Sequence, residues 1–437
     1  MLSTLPLGSC GILERLKGKK LELNLVSPYP SLVALLIALG TCIVLMKLSD
    51  TPPTTGRFAT LDGLRGYLAF FVYLHHAAIW YFYLRTGEWR VPPSNLYTHF
   101  GQSSVAMFFM ITGFLFWSKL IDGRLKPIDW LKLYVSRIMR IVPLYIFALT
   151  VLAVIVVNLS GFVMNDPPFK LLKNIIRWAS FTLLGSPDLN GVMSTSLIIA
   201  RVTWSLPYEW LFYFSLPIFA LLLRSNPPIP YIACGFAAVA VFFLLQFDKI
   251  HLVSFGGGIA AAYIVRLDTF RFYANHIIST VLAIISIVAS ILIFPSAYNL
   301  QALSLLTIAF ITIACGNNLF GLLTNPVSRK LGEMGYSIYL LHGMLLFTTF
   351  KFIVGFKRAA SLTVVEHWSI ILCCVPILIL CCSATFHYIE APCMKAVPYT
   401  SARMRQLLLR IQYNWRNFGI NVSERVRFNS DESSNSD

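Results

Sequence analysis

Arg57-Phe-Ala-Thr-Leu-Asp-Gly-Leu-Arg-Gly-Tyr-Leu-Ala-Phe-Phe-Val-Tyr-Leu-His-His76 begins polar and runs into an apolar stretch, Leu61 to Leu84, long enough for a helix to cross a bilayer. Four ionisable residues sit on that predicted helix: Asp62, Arg65, His75 and His76. At about 100° per residue, the step from Arg65 to His76 returns to within roughly 20° of the same face, and Asp62 lies about 60° from Arg65. The result is one polar stripe with His76 about 16 Å of rise beyond Arg65, while His75 points elsewhere. Ionisable groups inside a span are costly and by default mark a site. The alternative is structural: Arg65 snorkels and pairs with Asp62, and His76 hydrogen-bonds across helices.

Working outward, a hydrophobic fraction of 57% with only 12% charged residues and a mean hydropathy of +0.70 exclude an ordinary soluble domain. They predict an all-α, polytopic membrane protein. The net charge of +16 is read as basic residues held on the cytoplasmic side, not as a nucleic-acid surface. Ten core segments follow: Leu61–Leu84, Phe100–Leu120, Ile141–Leu159, Val202–Leu223, Tyr231–Phe247, Leu252–Leu267, Ile277–Phe294, Leu300–Leu322, Tyr336–Val354 and Trp368–Ile389. Tyr29–Met46 adds an N-terminal hydrophobic helix, and Phe169–Leu184 has the amphipathic pattern of a helix lying on the membrane surface. The expected organisation is an N-terminal extension (1–56), a membrane domain (57–393) and a tail (394–437) that begins basic and ends acidic and partly disordered.

Loop charges set the orientation. With the start of Leu61–Leu84 in the cytoplasm, the inner loops are 121–140, 224–230, 268–276 and 323–335, together with the tail. Arg124, Lys126, Lys132, Arg137 and Arg140 lie on the first of these, whereas the outer loop Pro295–Asn299 carries no charge. The Tyr29–Met46 helix does not fit, because spanning would leave Arg15, Lys17, Lys19 and Lys20 outside. The nine cysteines lie mostly in apolar runs and lack metal-site spacing, so neither disulfides nor a metal is expected.

Several short stretches then line up in order: Leu61-Asp-Gly-Leu-Arg-Gly66 followed by His76, and Gly101-Gln-Ser-Ser-Val-Ala-Met-Phe-Phe-Met-Ile-Thr-Gly-Phe114. Arg137-Ile-Met-Arg-Ile-Val-Pro143 and Trp204-Ser-Leu-Pro-Tyr-Glu-Trp-Leu-Phe-Tyr213 come next, then Leu331-Gly-Glu-Met-Gly-Tyr-Ser-Ile-Tyr-Leu-Leu-His342 and Tyr388-Ile-Glu-Ala-Pro392. This series resembles acyltransferase family 3, the membrane acyltransferases that O-acylate cell-surface glycans and other extracytoplasmic acceptors. The resemblance spans about 57–393 and implies a ten-helix core, here as a stand-alone module.

The resemblance implies that His76 is catalytic. An alcohol loses its proton as it attacks a thioester, and an imidazole suits that transfer near neutral pH. Arg65, which completes the same motif, would hold the histidine's environment, bind the donor or stabilise the oxyanion. Arg137 and Arg140 match a motif read as a phosphate clamp for acyl-coenzyme A, although basic residues are expected on any inner loop. Glu209 would orient or charge-pair with His76 or Arg65, or accept the acceptor's hydroxyls; a structural ion pair is the other reading. Tyr208, Ser337 and His342, with Asp62, would line the same cavity, while helix packing explains His342 equally well. Glu390 and Gly256-Gly-Gly258 are read as structural.

The expectation is therefore an O-acyltransferase of the bacterial inner (cytoplasmic) membrane. It would move an acyl group, most simply acetyl, from cytoplasmic acyl-coenzyme A to a hydroxyl of a surface polysaccharide or lipid-linked glycan. Acetyl-coenzyme A is a co-substrate and no tightly bound cofactor is expected; the partners are donor, glycan acceptor and lipid bilayer, without nucleic acid. Rival readings are another acyl donor or a non-carbohydrate acceptor, an acyl-His76 intermediate, and a transporter or glycan-export partner.

Overall fold

The computed structural model describes residues 24–48, 58–125, 127–245 and 247–413. The basic stretch 15–20, the linker 49–55 and the acidic end of the tail lie outside them. In chain order the helices are α1 (Pro28–Leu48), α2 (Ala59–Thr86), α3 (Asn95–Asp122), α4 (Trp130–Leu159) and α5 (Pro168–Ala179). Then come α6 (Leu206–Leu222), α7 (Ile229–Leu244), α8 (Ile250–Ile264), α9 (Asp268–Ala274) and α10 (Ile277–Ile293). The last are α11 (Leu300–Ala314), α12 (Pro326–Glu333), α13 (Gly335–Thr348), α14 (Phe356–Ser361) and α15 (Val364–Thr385).

Among the described residues there is no β-strand, and each expected apolar segment is helical. Among the described residues six helices are long and apolar enough to cross a bilayer: Pro28–Leu48, Asn95–Asp122, Trp130–Leu159, Val202–Leu222, Gly335–Ile353 and Val364–Lys395. The chain is an all-α, multi-pass membrane protein.

Boundaries depart from the apolar pattern where side chains or backbone strain intervene. Apolar character runs to Leu322, yet α11 stops at Ala314. There Gly316 takes φ +116°, and the Asn317 amide donates to Ala274 O (2.6 Å) and Thr280 Oγ1 (2.7 Å). Before α6 the chain forms a tight 3₁₀ turn, Val202–Ser205, preceded by Ala200 and Arg201 at positive φ. The amphipathic helix α5 ends at Ala179 because Phe181 and Thr182 are also left-handed. Its Phe169, Leu172, Ile175 and Ile176 are exposed and form one apolar face.

The described helices group into two compact units. The first comprises Met1–Phe108, Leu197–Ala200 and Leu267–Leu380, the second Phe109–Ser196, Arg201–Arg266 and Cys381–Asp437. In the first, α2 is the enclosed helix: Gly66 to Phe70 and Val72 to Trp80 are all buried. Its opening turns meet α12 and the residues just before it backbone to backbone. A Cβ on Gly63 would lie 1.9 Å from Leu323 O, one on Gly66 2.6 Å from Gly332 N, and one on Gly332 1.9 Å from Asp62 O. Only glycine allows that approach. One residue later α13 begins and runs beside α2 in the same direction, with Gly335 against Arg65 at one end.

The N-terminal helix α1 belongs to this unit. Leu25 O accepts from Trp368 Nε1 (3.1 Å) and Ser27 O from Tyr97 Oη (2.9 Å), so α1 enters at the end where α3 and α15 begin. Its Cys42 lies within electrostatic range of Tyr67 and Lys330, which makes α1 antiparallel to α2. Packing sets the direction of this helix.

In the second unit α3 and α8 repeat the close approach: a Cβ on Gly258 would lie 2.0 Å from Met110 O and one on Gly113 2.5 Å from Phe255 O. Arg266 clips the same pair of helices through Asp122 (2.6 Å). Residues 397–413 are helical and largely exposed, and Arg405 reaches Asp129 at 2.6 Å.

The two glycine environments give a direct test. Gly332→Ala should lower the unfolding midpoint of the protein in nanodiscs, by about 1–3 kcal/mol of overpacking. Gly256→Ala, with nothing within 4 Å of its Cβ position, should be neutral or stabilising by up to about 1 kcal/mol through helix propensity.

Candidate active site

Three imidazoles meet inside the first unit. His76 on α2 retains 9% exposure, His75 beside it 7%, and His342 on α13 none. His76 Nδ1 lies 3.0 Å from Val72 O, one turn back on its own helix, and 2.9 Å from His342 Nε2. A carbonyl oxygen only accepts, so Nδ1 of His76 carries the hydrogen and its Nε2 keeps the lone pair. Trp89, just past the left-handed Gly87 that caps α2, lies near-parallel to the His76 ring at 6.0 Å and 21°.

His75 is tied elsewhere. Its Nδ1 donates to Tyr97 O at 2.6 Å, and its ring fills the space a Cβ on Gly101 would need. That contact anchors α3 to α2, in keeping with the face assignment from helical spacing.

Arg65 does not reach the imidazole. Eleven residues of unbroken helix carry His76 about 16 Å along the axis from Arg65, further than a guanidinium extends. Arg65 instead pairs with Asp62 at 3.0 Å, both side chains close to 30% exposed (28% and 29%). Ser337 is fully buried on α13, five residues before His342.

In the second unit, Glu209 in the first turn of α6 accepts the Tyr213 hydroxyl. Arg137 of α4 also lies within interaction range of that hydroxyl, with its guanidinium 5.1 Å from the Phe116 ring centroid. Tyr134 Oη donates to Tyr213 O at 3.1 Å, so α4 and α6 share a buried polar seam. Arg140 is differently placed: it stands 3.7 Å from Glu390, whose side chain is fully buried, and 2.9 Å from Met394 Sδ. The two arginines of the motif therefore separate, Arg140 held by a carboxylate and Arg137 without one among the described residues. Tyr208 is buried in an aromatic cluster with His251 (5.1 Å), Trp204 (5.9 Å) and Phe109 (6.0 Å).

Two residues at these sites escape a reading of the sequence. Tyr213 was accessible, since it follows Glu209 by four residues on one helix face. Trp89 gave no signal, because its approach to His76 depends on how the chain turns after Gly87.

A buried imidazole with a free ring nitrogen, neutral and hydrogen-bonded through the other, is equipped to take a proton from a hydroxyl. The comparisons with known proteins agree with that chemistry. Residues 58–386 match the model of an acyltransferase domain, the third family of that name. An acyltransferase from Streptomyces mycarofaciens, MdmB, is 25% identical over 332 residues, which is 68% of this chain and 80% of that protein. No solved structure matches. With the family's domain covering most of the chain and its motif histidine set in the middle of the first helical unit, this membrane protein belongs to acyltransferase family 3.

Proposed function

We propose that this acyltransferase moves an acetyl group from acetyl-coenzyme A to a hydroxyl of a surface polysaccharide or lipid-linked glycan. The observation that carries the reading is the pair of contacts at His76 Nδ1, to Val72 O at 3.0 Å and to His342 Nε2 at 2.9 Å, from which a neutral ring has its hydrogen on Nδ1 and its lone pair on Nε2. In the reaction the acceptor's O–H gives its proton to Nε2 as its oxygen bonds to the thioester carbon. The tetrahedral adduct then collapses, and the departing thiolate recovers the proton from Nε2. Ester and free thiol are formed, and the imidazole is returned neutral. General-base help of this kind contributes about 10²–10⁴-fold.

A cytoplasmic donor fits the loop charges, since the phosphates of coenzyme A call for guanidinium groups on the inner side. Arg137 is the member of its motif whose charge is not already met by a carboxylate, so it is the phosphate ligand in this reading. Arg140, balanced by Glu390, serves the fold. Arg65, paired with Asp62 at the opening of α2, acts on donor or acceptor binding, not on the imidazole.

Three variants test this. In membranes or nanodiscs, His76→Ala should reduce acetyl transfer by at least about 100-fold with donor binding retained; unchanged acetyl content of the surface glycan by mass spectrometry would refute the role. Arg137→Ala should raise the KM for acetyl-coenzyme A with little change in melting. Glu390→Ala should instead lower the melting temperature, because it leaves the partly exposed Arg140 guanidinium without that carboxylate.

A further inference from the structure

We infer that His342 is the positioning residue of His76: it holds the catalytic ring in the tautomer that presents Nε2 to the reaction. This rests on the reading of His76 as base and adds the group that sets its state. The argument is one of donors and acceptors. His342 Nδ1 lies 2.9 Å from Ile338 O, which can only accept, so that nitrogen is protonated and Nε2 of the neutral ring has only a lone pair to offer. That lone pair faces His76 Nδ1 at 2.9 Å. His76 Nδ1 must itself be protonated because it also faces Val72 O. One arrangement of two neutral rings satisfies all three contacts, and in it His76 Nδ1–H is shared between a carbonyl and an imidazole.

The ring geometry agrees. The centroids are 5.0 Å apart with planes inclined by only 28°. That separation is close to the N···N distance plus two ring radii, so the nitrogens point at each other edge to edge and the rings do not overlap face to face. Rotation of His76 would break both bonds at once. When Nε2 takes a proton, the positive charge spreads toward His342 through the same hydrogen bond. His342 is fully buried and is itself held in place, since a Cβ on the neighbouring Gly343 would lie 2.5 Å from the backbone of Ile199. Its edge also meets the Tyr73 ring at 6.3 Å and 81°.

The experiment compares His342→Gln, whose amide oxygen can accept from Nδ1–H, with His342→Met, a side chain of similar length that cannot. Full-length protein in nanodiscs is assayed with acetyl-coenzyme A, and both variants are checked for melting. In His342→Met, kcat should fall about 10- to 100-fold with donor KM unchanged, as when other functional imidazoles lose their outer hydrogen-bond partner. His342→Gln should recover most of that loss. In ¹⁵N-histidine spectra of the wild type, assigned by difference against His76→Ala, His76 should show a protonated Nδ1 and an unprotonated Nε2. A wild-type kcat in His342→Met, equal losses in folded Gln and Met variants, or the opposite tautomer would each overturn the inference. The spectrum needs no turnover, so it separates failure of this inference from failure of the catalytic reading, which would appear as full activity in His76→Ala.

Discussion

The contact on which the first helical unit depends is the bare-backbone crossing of α2 and α12. At Gly63, Gly66 and Gly332 the backbones approach until Leu323 O, Gly332 N and Asp62 O occupy the volume a methyl group would take. In lipid, where apolar side chains gain little by leaving one solvent for another, such close packing is a main source of helix association. The crossing also fixes register. Because α13 starts one residue after α12 and runs beside α2, the position of Gly332 against Asp62 decides what His342 faces. The glycines of Leu61-Asp-Gly-Leu-Arg-Gly66 and Leu331-Gly-Glu-Met-Gly335 thus serve a site some distance along the helices from themselves.

The buried histidines obey a common rule with different endings. His75, His76 and His342 each place Nδ1 against a backbone carbonyl. His99 and His367 do the same through Nε2, to Phe294 O and Ala77 O. In a medium without water each ring needs at least one such partner. The second nitrogen divides them. His99 spends it on Ser103 (2.7 Å), His367 seals it away, His75 packs it against Gly101, and His342 turns it toward His76. Burial and residue type do not distinguish these histidines; hydrogen bonding and the packing around the second nitrogen do.

Much of this architecture was readable from composition and spacing, because a bilayer leaves few choices: apolar runs of the right length become helices. His76 was readable for the same reason, as an ionisable group where one is costly. Less visible was whatever depends on partners far away in the chain. Helical phase could place Arg65 and His76 on one face but not close together, since a shared face says nothing about axial distance. The division of labour between Arg137 and Arg140 follows from Glu390, some 250 residues downstream (Arg140 to Met394 spans 254). The end of α11 depends on an asparagine amide inside an otherwise apolar run. The direction of α1 rests on two backbone carbonyls, which no charge count detects.

The pairing of His76 with His342 joins residues 266 positions apart. At ribosomal speeds of about 5–20 residues per second, α2 enters the membrane some tens of seconds before its partner has been synthesised. Throughout that interval a segment carrying Asp62, Arg65 and two histidines must sit among lipids or in the care of the insertion machinery, its glycine groove empty. Biogenesis therefore imposes on this helix a requirement separate from catalysis: it has to be hydrophobic enough to be admitted early and polar enough to be useful late.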